Sequence, residues 1–343
     1  MSTLTVLRAG PGTSLQDGGR FGWRRQGVAV SGAMDRLALA VANALVGNPL
    51  QTAAIETTLA GATFCAGDAP VLVAAGGPGV VLSVAGRALP PGRSALAAPG
   101  DSIGLSAPIS GMHGYLAVAG GFGLSPEMGS LSTHLRSGLG PAPLAAGSRL
   151  PVCGGGMTPL WLPRVPGHGA GPIRAMPGPQ DDWFADEALD LLCSTDWQFD
   201  LRSDRMGRYL CGPALPPRPG SMVSDGVLPG SIQVPPSGQP VVLMRDCQTT
   251  GGYPKIATVI SADLDRLAQI PAGVPFRVTA VTREVAVAAA AALARSLRDI
   301  VPRPAGGTDP ARLWSENLVG GVWNARDDDA TDEGATEGGN AGG

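Results

Sequence analysis

Short apolar runs separated by glycine, proline, aspartate or serine dominate the chain, and this pattern predicts strands joined by turns. Residues 3–8 read as a strand, followed by the turn Gly10-Pro11-Gly12. The same alternation fills residues 53–151, with the clearest strands over 71–74, 80–84, 102–105 and 115–118. One early stretch has a different period. Met34, Leu37, Val41 and Leu45 recur three to four residues apart, on one face of a helix that Ser31 caps and that Gly47 and Pro49 end. Residues 182–193 and 262–269 also read as helices. Residues 284–300 form a long alanine-rich helix, capped by Thr282 and halted before Pro302.

The run 151–172 is rich in proline and glycine and contains Gly154-Gly155-Gly156, so a boundary falls there. The expected organisation is an N-terminal β-barrel domain over 1–160, a C-terminal β domain over 161–303 and an extension over 304–343. The second half begins like the first. Ile173-Arg174-Ala175, Pro177-Gly178 and Gln180-Asp181 echo Leu7-Arg8-Ala9, Pro11-Gly12 and Gln16-Asp17, a pattern open to duplication or to coincidence. Residues 327–343 hold six acids and no base among many glycines and are expected to be disordered. Before them, Leu313, Trp314, Leu318, Val322 and Trp323 are apolar enough to dock on the body or on a partner.

Composition narrows the function classes. A hydrophobic fraction of 44% across 343 residues supports a buried core, and a net charge of -3 gives no basic face for nucleic acid. The apolar stretch 69–86 is broken by Gly76-Gly77-Pro78-Gly79, which suits two strands and a turn rather than a membrane span. The N-terminus lacks a secretory pattern, and five cysteines without CxxC spacing read as reduced thiols, so a cytoplasmic protein is expected.

Several chemistries are excluded by motif. The single lysine, Lys255, follows Pro254, so there is no P-loop and no biotinylated lysine in an Ala-Met-Lys-Met context. No GxSxG elbow and no HExxH helix occur. His113, His134 and His168 lie far apart in sequence and read as structural or exposed, so no metal site is expected.

Four ordered stretches carry more information. The first runs Gly12-Thr13-Ser14-Leu15-Gln16-Asp17-Gly18-Gly19-Arg20 and continues through Gly22-Trp23 to Ser31-Gly32-Ala33-Met34-Asp35. The second is Ala42-Asn43-Ala44-Leu45-Val46-Gly47-Asn48 with Ile55-Glu56-Thr57-Thr58-Leu59. The third is Gly114-Tyr115-Leu116-Ala117-Val118-Ala119-Gly120-Gly121 with Gly129-Ser130 and Ser132-Thr133. The fourth runs from Ser224-Asp225-Gly226 through Pro229-Gly230-Ser231-Ile232-Gln233 to Thr249-Thr250-Gly251-Gly252-Tyr253-Pro254-Lys255.

Over about residues 3–300 these stretches resemble the family of 5-oxoprolinase C subunits and biotin-dependent carboxyltransferases, which includes allophanate-hydrolase-subunit-2-like proteins and the antagonist of a sporulation kinase inhibitor. The resemblance implies a mainly β fold of tandem cyclophilin-like β-barrel domains with a few peripheral helices. It further implies one component of an ATP-dependent 5-oxoprolinase, with ATP and Mg²⁺ shared with partner subunits A and B, the latter kinase-inhibitor-like. The alternatives are a carboxyltransferase component of a urea or amide carboxylase, with biotin on another chain, and a non-catalytic regulator of a sister subunit. Three positions depart from the family. His113 stands where members carry arginine, Pro141-Ala142-Pro143-Leu144 replaces Gly-Arg-x-Leu, and Arg208-Tyr209 inverts Tyr-Arg.

Glycines beside polar residues let backbone N–H groups approach an anion, and a nearby cation adds charge. On that basis Lys255, Asp17 and Glu56 are candidate catalytic groups. Gln16, Arg20, Ser31, Arg205, Thr249, Thr250, Gly251, Gly252 and Tyr253 are candidate substrate or anion contacts. The competing reading is that the glycines serve tight turns, Ser31 starts a helix and the polar groups satisfy loop backbones. Glu56, an acid among apolar neighbours, must be paired or functional. Asp225 and Asp246 are further acidic candidates.

Overall fold

The strand Ser2–Arg8 buries Leu4 and Val6 on one face, as its alternation requires. In the computed structural model, which describes residues 2–220 and 222–305, this strand lies between Arg149–Val152 and Ala62–Ala66, antiparallel to both. Ser102–Leu105, Leu82–Val84 and Arg87–Ala88 complete a six-stranded sheet. A five-stranded sheet runs Ser14–Gln16, Ala54–Thr58, His113–Val118, Val71–Gly76, Ser94–Ala97. Leu4, Val6, Phe64, Ile103, Leu116 and Val118 belong to one core built from both sheets.

The helix α1, Arg36–Ala44, packs on the other side of the five-stranded sheet. Leu37, Val41 and Leu45 meet Leu72, Ala74, Tyr115 and Ala117 there. With the core on one face and α1 on the other, every position of His113–Val118 is buried. A strand covered on both faces reads as a continuous apolar run, which is how its Tyr115–Val118 portion stands in the sequence.

The second half is one seven-stranded sheet, ordered Gln198–Phe199, Gly207–Cys211, Val241–Leu243, Ser231–Gln233, Lys255–Val259, Ile173–Pro177, Val278–Ala280. Only the last pairing is parallel among those described. Its core gathers Trp197, Phe199, Leu210, Ile232, Ile256 and Leu267, together with Met34 contributed by the first half. The fold is therefore mainly β with a few helices, and Met1–Ala305 cluster into one compact unit. Among the described residues no helix is long and apolar enough to cross a membrane.

Several expected boundaries move. The first helix starts at Arg36, and Asp35 caps it by accepting a hydrogen bond from Ala38 N at 2.9 Å. Ser31 is not the cap. Its backbone is left-handed, with φ +56°, and its hydroxyl serves the neighbouring half instead. The helix expected over 182–193 is broken. A 3-10 turn, Asp181–Trp183, ends where Phe184 turns extended and enters the core, and α2, Ala188–Ser194, follows. The helix expected over 262–269 shortens to α3, Leu264–Ala268. The alanine-rich helix forms as α4, Arg283–Arg298, with Thr282 at its N-cap. The echo between Ser2–Arg8 and Ile173–Pro177 does not extend to their pairing, since Ser2–Arg8 has two antiparallel neighbours and Ile173–Pro177 has one antiparallel and one parallel. The acidic tail and the apolar residues Leu313, Trp314, Leu318, Val322 and Trp323 lie outside the described residues.

α1 sits so close to its sheet that a Cβ at Gly76 would collide with the Ala38 carbonyl oxygen. Neither backbone can yield without unseating the helix. Gly76→Ala is therefore expected to lower stability by about 1–3 kcal/mol, the usual cost of overpacking, read as a fall in urea midpoint with an unchanged m-value.

Candidate functional site

The two halves meet through charged groups. Glu56, on Ala54–Thr58, is fully buried and pairs across the sheet with Tyr115. Its Oε2 accepts hydrogen bonds from the Tyr115 hydroxyl at 2.6 Å and from Met34 N at 2.9 Å. Its Oε1 accepts from Arg205, which the second half supplies from the loop before Gly207–Cys211. Arg205 Nε donates to Asp246 at 2.9 Å, and its Nη2 donates to the Gly32 carbonyl at 2.6 Å and to Gln16 Oε1 at 3.2 Å. The Ser31 hydroxyl completes the group by donating to Asp246 at 2.7 Å. Burial by itself would push the Arg205 guanidinium down, but Asp246 and Glu56 outweigh it and hold the group above its ordinary range. Burial, reinforced by the Glu56 charge, raises the Tyr115 hydroxyl well above its usual value.

The loop that carries Ser31 is folded tightly against the Asp17 loop. Gly32 has φ +90°, and a Cβ there would press on Asp17 O and on Gly19. Glycine at this position lets the Gly32 carbonyl reach Arg205. A second set of contacts lies at the start of α1. Asp35 accepts from His168 Nε2 and from Gln269 Nε2, each at 2.8 Å. Gln269 in turn accepts from Met112 N and His113 N, at 2.8 and 2.9 Å. Burial works against the charge on both members of the Asp35–His168 pair. Their mutual hydrogen bond prevails, so Asp35 is lowered and His168 raised. A further bridge joins Arg36 of the first half to Asp265, which also accepts from Arg245 at 2.8 Å.

Four of the sequence candidates, Gln16, Ser31, Glu56 and Arg205, converge on this junction. Asp246, weighed as an acidic alternative, joins them. Asp17 and Arg20 stay in the adjoining loops. Asp17 accepts from Gly19 N, Leu131 N and the hydroxyls of Ser130 and Ser132. Arg20, fully buried, donates to the carbonyls of Glu127 and Ser132 at 3.0 and 2.9 Å. Both pin one loop to another.

Lys255 forms a separate group. Its Nζ donates to Asp225 at 2.5 Å and to Gly226 O at 3.0 Å. Thr250–Gly251 pairs as a short strand with Asp225–Gly226, and the Thr249 carbonyl accepts from Val227 N. Gly252 and Tyr253 are exposed beside it.

The three departures also find places. His113 is buried with Nδ1 3.1 Å from the Thr58 hydroxyl and 3.8 Å from Glu56. The Pro141 carbonyl accepts from the Thr133 hydroxyl at 2.7 Å. Arg208 lies over the Phe199 ring at 3.6 Å and donates to the carbonyls of Leu267 and Ile270, so it supplies no free charge to an anion. Burial pushes it down to about 9.

A cleft of about 580 Å³ opens over the junction, lined by His113, His134, Arg136, Arg205 and Asp246 with Met34 and Met206. Sequence reasoning does not single out Tyr115, Asp35, Gln269, His134, His168 or Arg136 for this place. The three histidines, far apart along the chain, all touch the junction, His113 beside Glu56, His168 on Asp35 and His134 on the Asp246 carbonyl. Among the described residues no group of acids, histidines and cysteines could hold a metal ion. A guanidinium, imidazoles and an apolar wall of methionines line the cleft, a mix that suits a small polar molecule with a ring or methyl face.

Comparison with known proteins adds context. A family model described as carboxyltransferase domain, subdomain A and B, matches residues 26–280. The chain is 40% identical over 299 residues to the 5-oxoprolinase C subunit of Escherichia coli, covering 83% of this chain and 94% of that one. It is 36% identical to the Haemophilus influenzae protein of the same name, covering 82% and 93% respectively. The fold also matches the crystal structure of Kluyveromyces lactis urea carboxylase, with a TM-score of 0.79 and 24% identity over 87% of this chain. The match spans 29% of that longer chain.

His113 gives the junction a pH signature. Burial, which outweighs the pull of Glu56, pushes its pKa from 6.5 down to about 4. Between those values the unfolded chain binds a proton that the folded chain refuses, so this residue subtracts stability as pH falls through that window. His168, with its raised value, acts with the opposite sign, adding stability as pH falls towards 6.5. His113→Gln removes the first effect alone. Its loss of unfolding free energy from pH 7 to pH 4.5 is expected to be smaller than the wild type's by about 2–3 kcal/mol, measured by urea titration at the two pH values.

Proposed function

The chain belongs to the carboxyltransferase domain family, subdomain A and B, and from that membership we propose that it is the C subunit of a cytoplasmic, ATP-dependent 5-oxoprolinase that hydrolyses 5-oxoproline to glutamate together with subunits A and B. One observation carries the reading. The likeness to a 5-oxoprolinase C subunit at 40% identity extends over 94% of that relative and 83% of this chain, far more than a short shared motif.

The chemistry asked of the complex is the opening of an unstrained lactam, whose amide resonance resists water. ATP supplies the activation of the amide oxygen. The described residues of this chain do not by themselves fit a triphosphate. Among the cationic candidates, Arg205 and Lys255 are committed to Glu56, Asp246 and Asp225, and the buried Arg20 donates to the Glu127 and Ser132 carbonyls. ATP and Mg²⁺ are therefore assigned to the assembled complex, with other subunits completing their site. The cleft over the junction is the place on this chain for the organic substrate. There the Arg205 bridge holds the two walls in register, and His113, neutral near pH 7, can exchange hydrogen bonds without adding charge.

A second reading is favoured by the family description and by the urea carboxylase fold match. The same cleft would then hold an amide accepting a carboxylate from biotin carried on another chain. The two readings separate in one experiment. The chain is purified alone and with candidate subunits A and B, and ADP release is followed with and without 5-oxoproline. Release is expected only from the complex and only with 5-oxoproline. Full turnover by the isolated chain, or a complex inert to 5-oxoproline that carboxylates an amide with a biotinylated carrier, would overturn the proposal.

A further inference from the structure

Nearly every donor around the cleft is already committed. Arg205 is saturated by Glu56, Asp246, Gln16 and Gly32, and Arg208 by backbone carbonyls. Arg136 is different. It is exposed, has no hydrogen-bond or ion-pair partner among the described residues, and borders both the cleft of about 580 Å³ and an adjoining cavity of about 610 Å³.

The turn that presents Arg136 is braced at its base. His134 N donates to the Leu139 carbonyl at 2.8 Å, closing the turn. His134 Nε2 donates to the Asp246 carbonyl at 3.2 Å, while its Nδ1 accepts from Ser137 N at 3.3 Å. Gly140 N donates to Glu127 at 2.7 Å. The turn that carries Arg136 is thus tied to the charged junction through the His134 imidazole, while the guanidinium itself stays unpaired at the cleft. Of the two acids on the cleft wall, neither pairs with Arg136. Asp246 is paired with Arg205 and Ser31, and Asp204 accepts from Met206 N and Gly207 N. Met34, Met112 and Leu135 supply the apolar part of the wall.

One uncommitted fork of donors opposite an apolar wall matches a small cyclic monocarboxylic acid, whose carboxylate takes two parallel N–H bonds while its ring methylenes face the methionines. We propose that Arg136 is the specificity-determining residue of this cleft and recognises the carboxylate of the lactam substrate. This inference rests on the 5-oxoprolinase reading.

The test uses the reconstituted complex. Arg136→Gln is expected to raise KM for 5-oxoproline at least tenfold while kcat changes less than threefold. Arg136→Lys, which keeps the charge and loses the paired donors, is expected to raise KM about threefold. Melting temperatures are compared to establish that the variants fold. A wild-type complex without 5-oxoproline-dependent ADP release overturns the reading and the inference together. An active wild type with an unchanged KM in Arg136→Gln overturns the inference alone. Should Arg136→Gln disturb assembly, a wild-type KM from Arg136→Lys overturns it equally.

Discussion

Arg205 joins two buried acids from opposite halves of the chain, and the rest of the junction is arranged around that bridge. Glu56 and Asp246 are both removed from water, and each alone would be costly to ionise. A guanidinium between them, with Gln16 and the Gly32 carbonyl taking its remaining protons, makes the arrangement tolerable. Such a bridge adds little net stability compared with an apolar contact. Its value lies in geometry, because removing any member strands the others. The positions of Ser31, Met34 and Tyr115 follow from it, since each either bonds one of the acids or is bonded by it.

The bridge also explains why the cleft above it is sparing in free charge. Side chains that look from sequence like substrate ligands are used to hold the walls. What remains for a small molecule is a set of neutral or exposed groups whose orientation the bridge fixes. Catalytic sites commonly divide the labour in this way, with buried groups positioning and a few others touching substrate.

Much of the fold was legible in the chain. The strands read at 3–8, 71–74, 102–105 and 115–118 and the Thr282-capped helix all form, the strand at 115–118 beginning two residues earlier at His113. Glu56 could be read as paired or functional because an acid on an apolar strand has few other options. Its partner could not be read, because Arg205 lies 149 residues away. The residue type of Ser31 suits a helix start. The left-handed backbone that frees its hydroxyl for Asp246 is set by the tertiary junction and leaves no local signal. The break at Phe184 has the same origin, a core demand overriding helical propensity. Histidine spacing is uninformative for a similar reason, since the three residues are gathered by sheet topology.

The same 149-residue separation has a consequence for biosynthesis. At ribosomal rates of about 5–20 residues per second, Glu56 emerges on the order of ten seconds before its counter-ion exists. Met34 waits as well, since its socket is built from strands and helices of the second half. During that interval the first half carries an unmatched acid and an exposed methionine on the surface that will become the junction. The junction can therefore close only after the second sheet is made, so it forms late in synthesis.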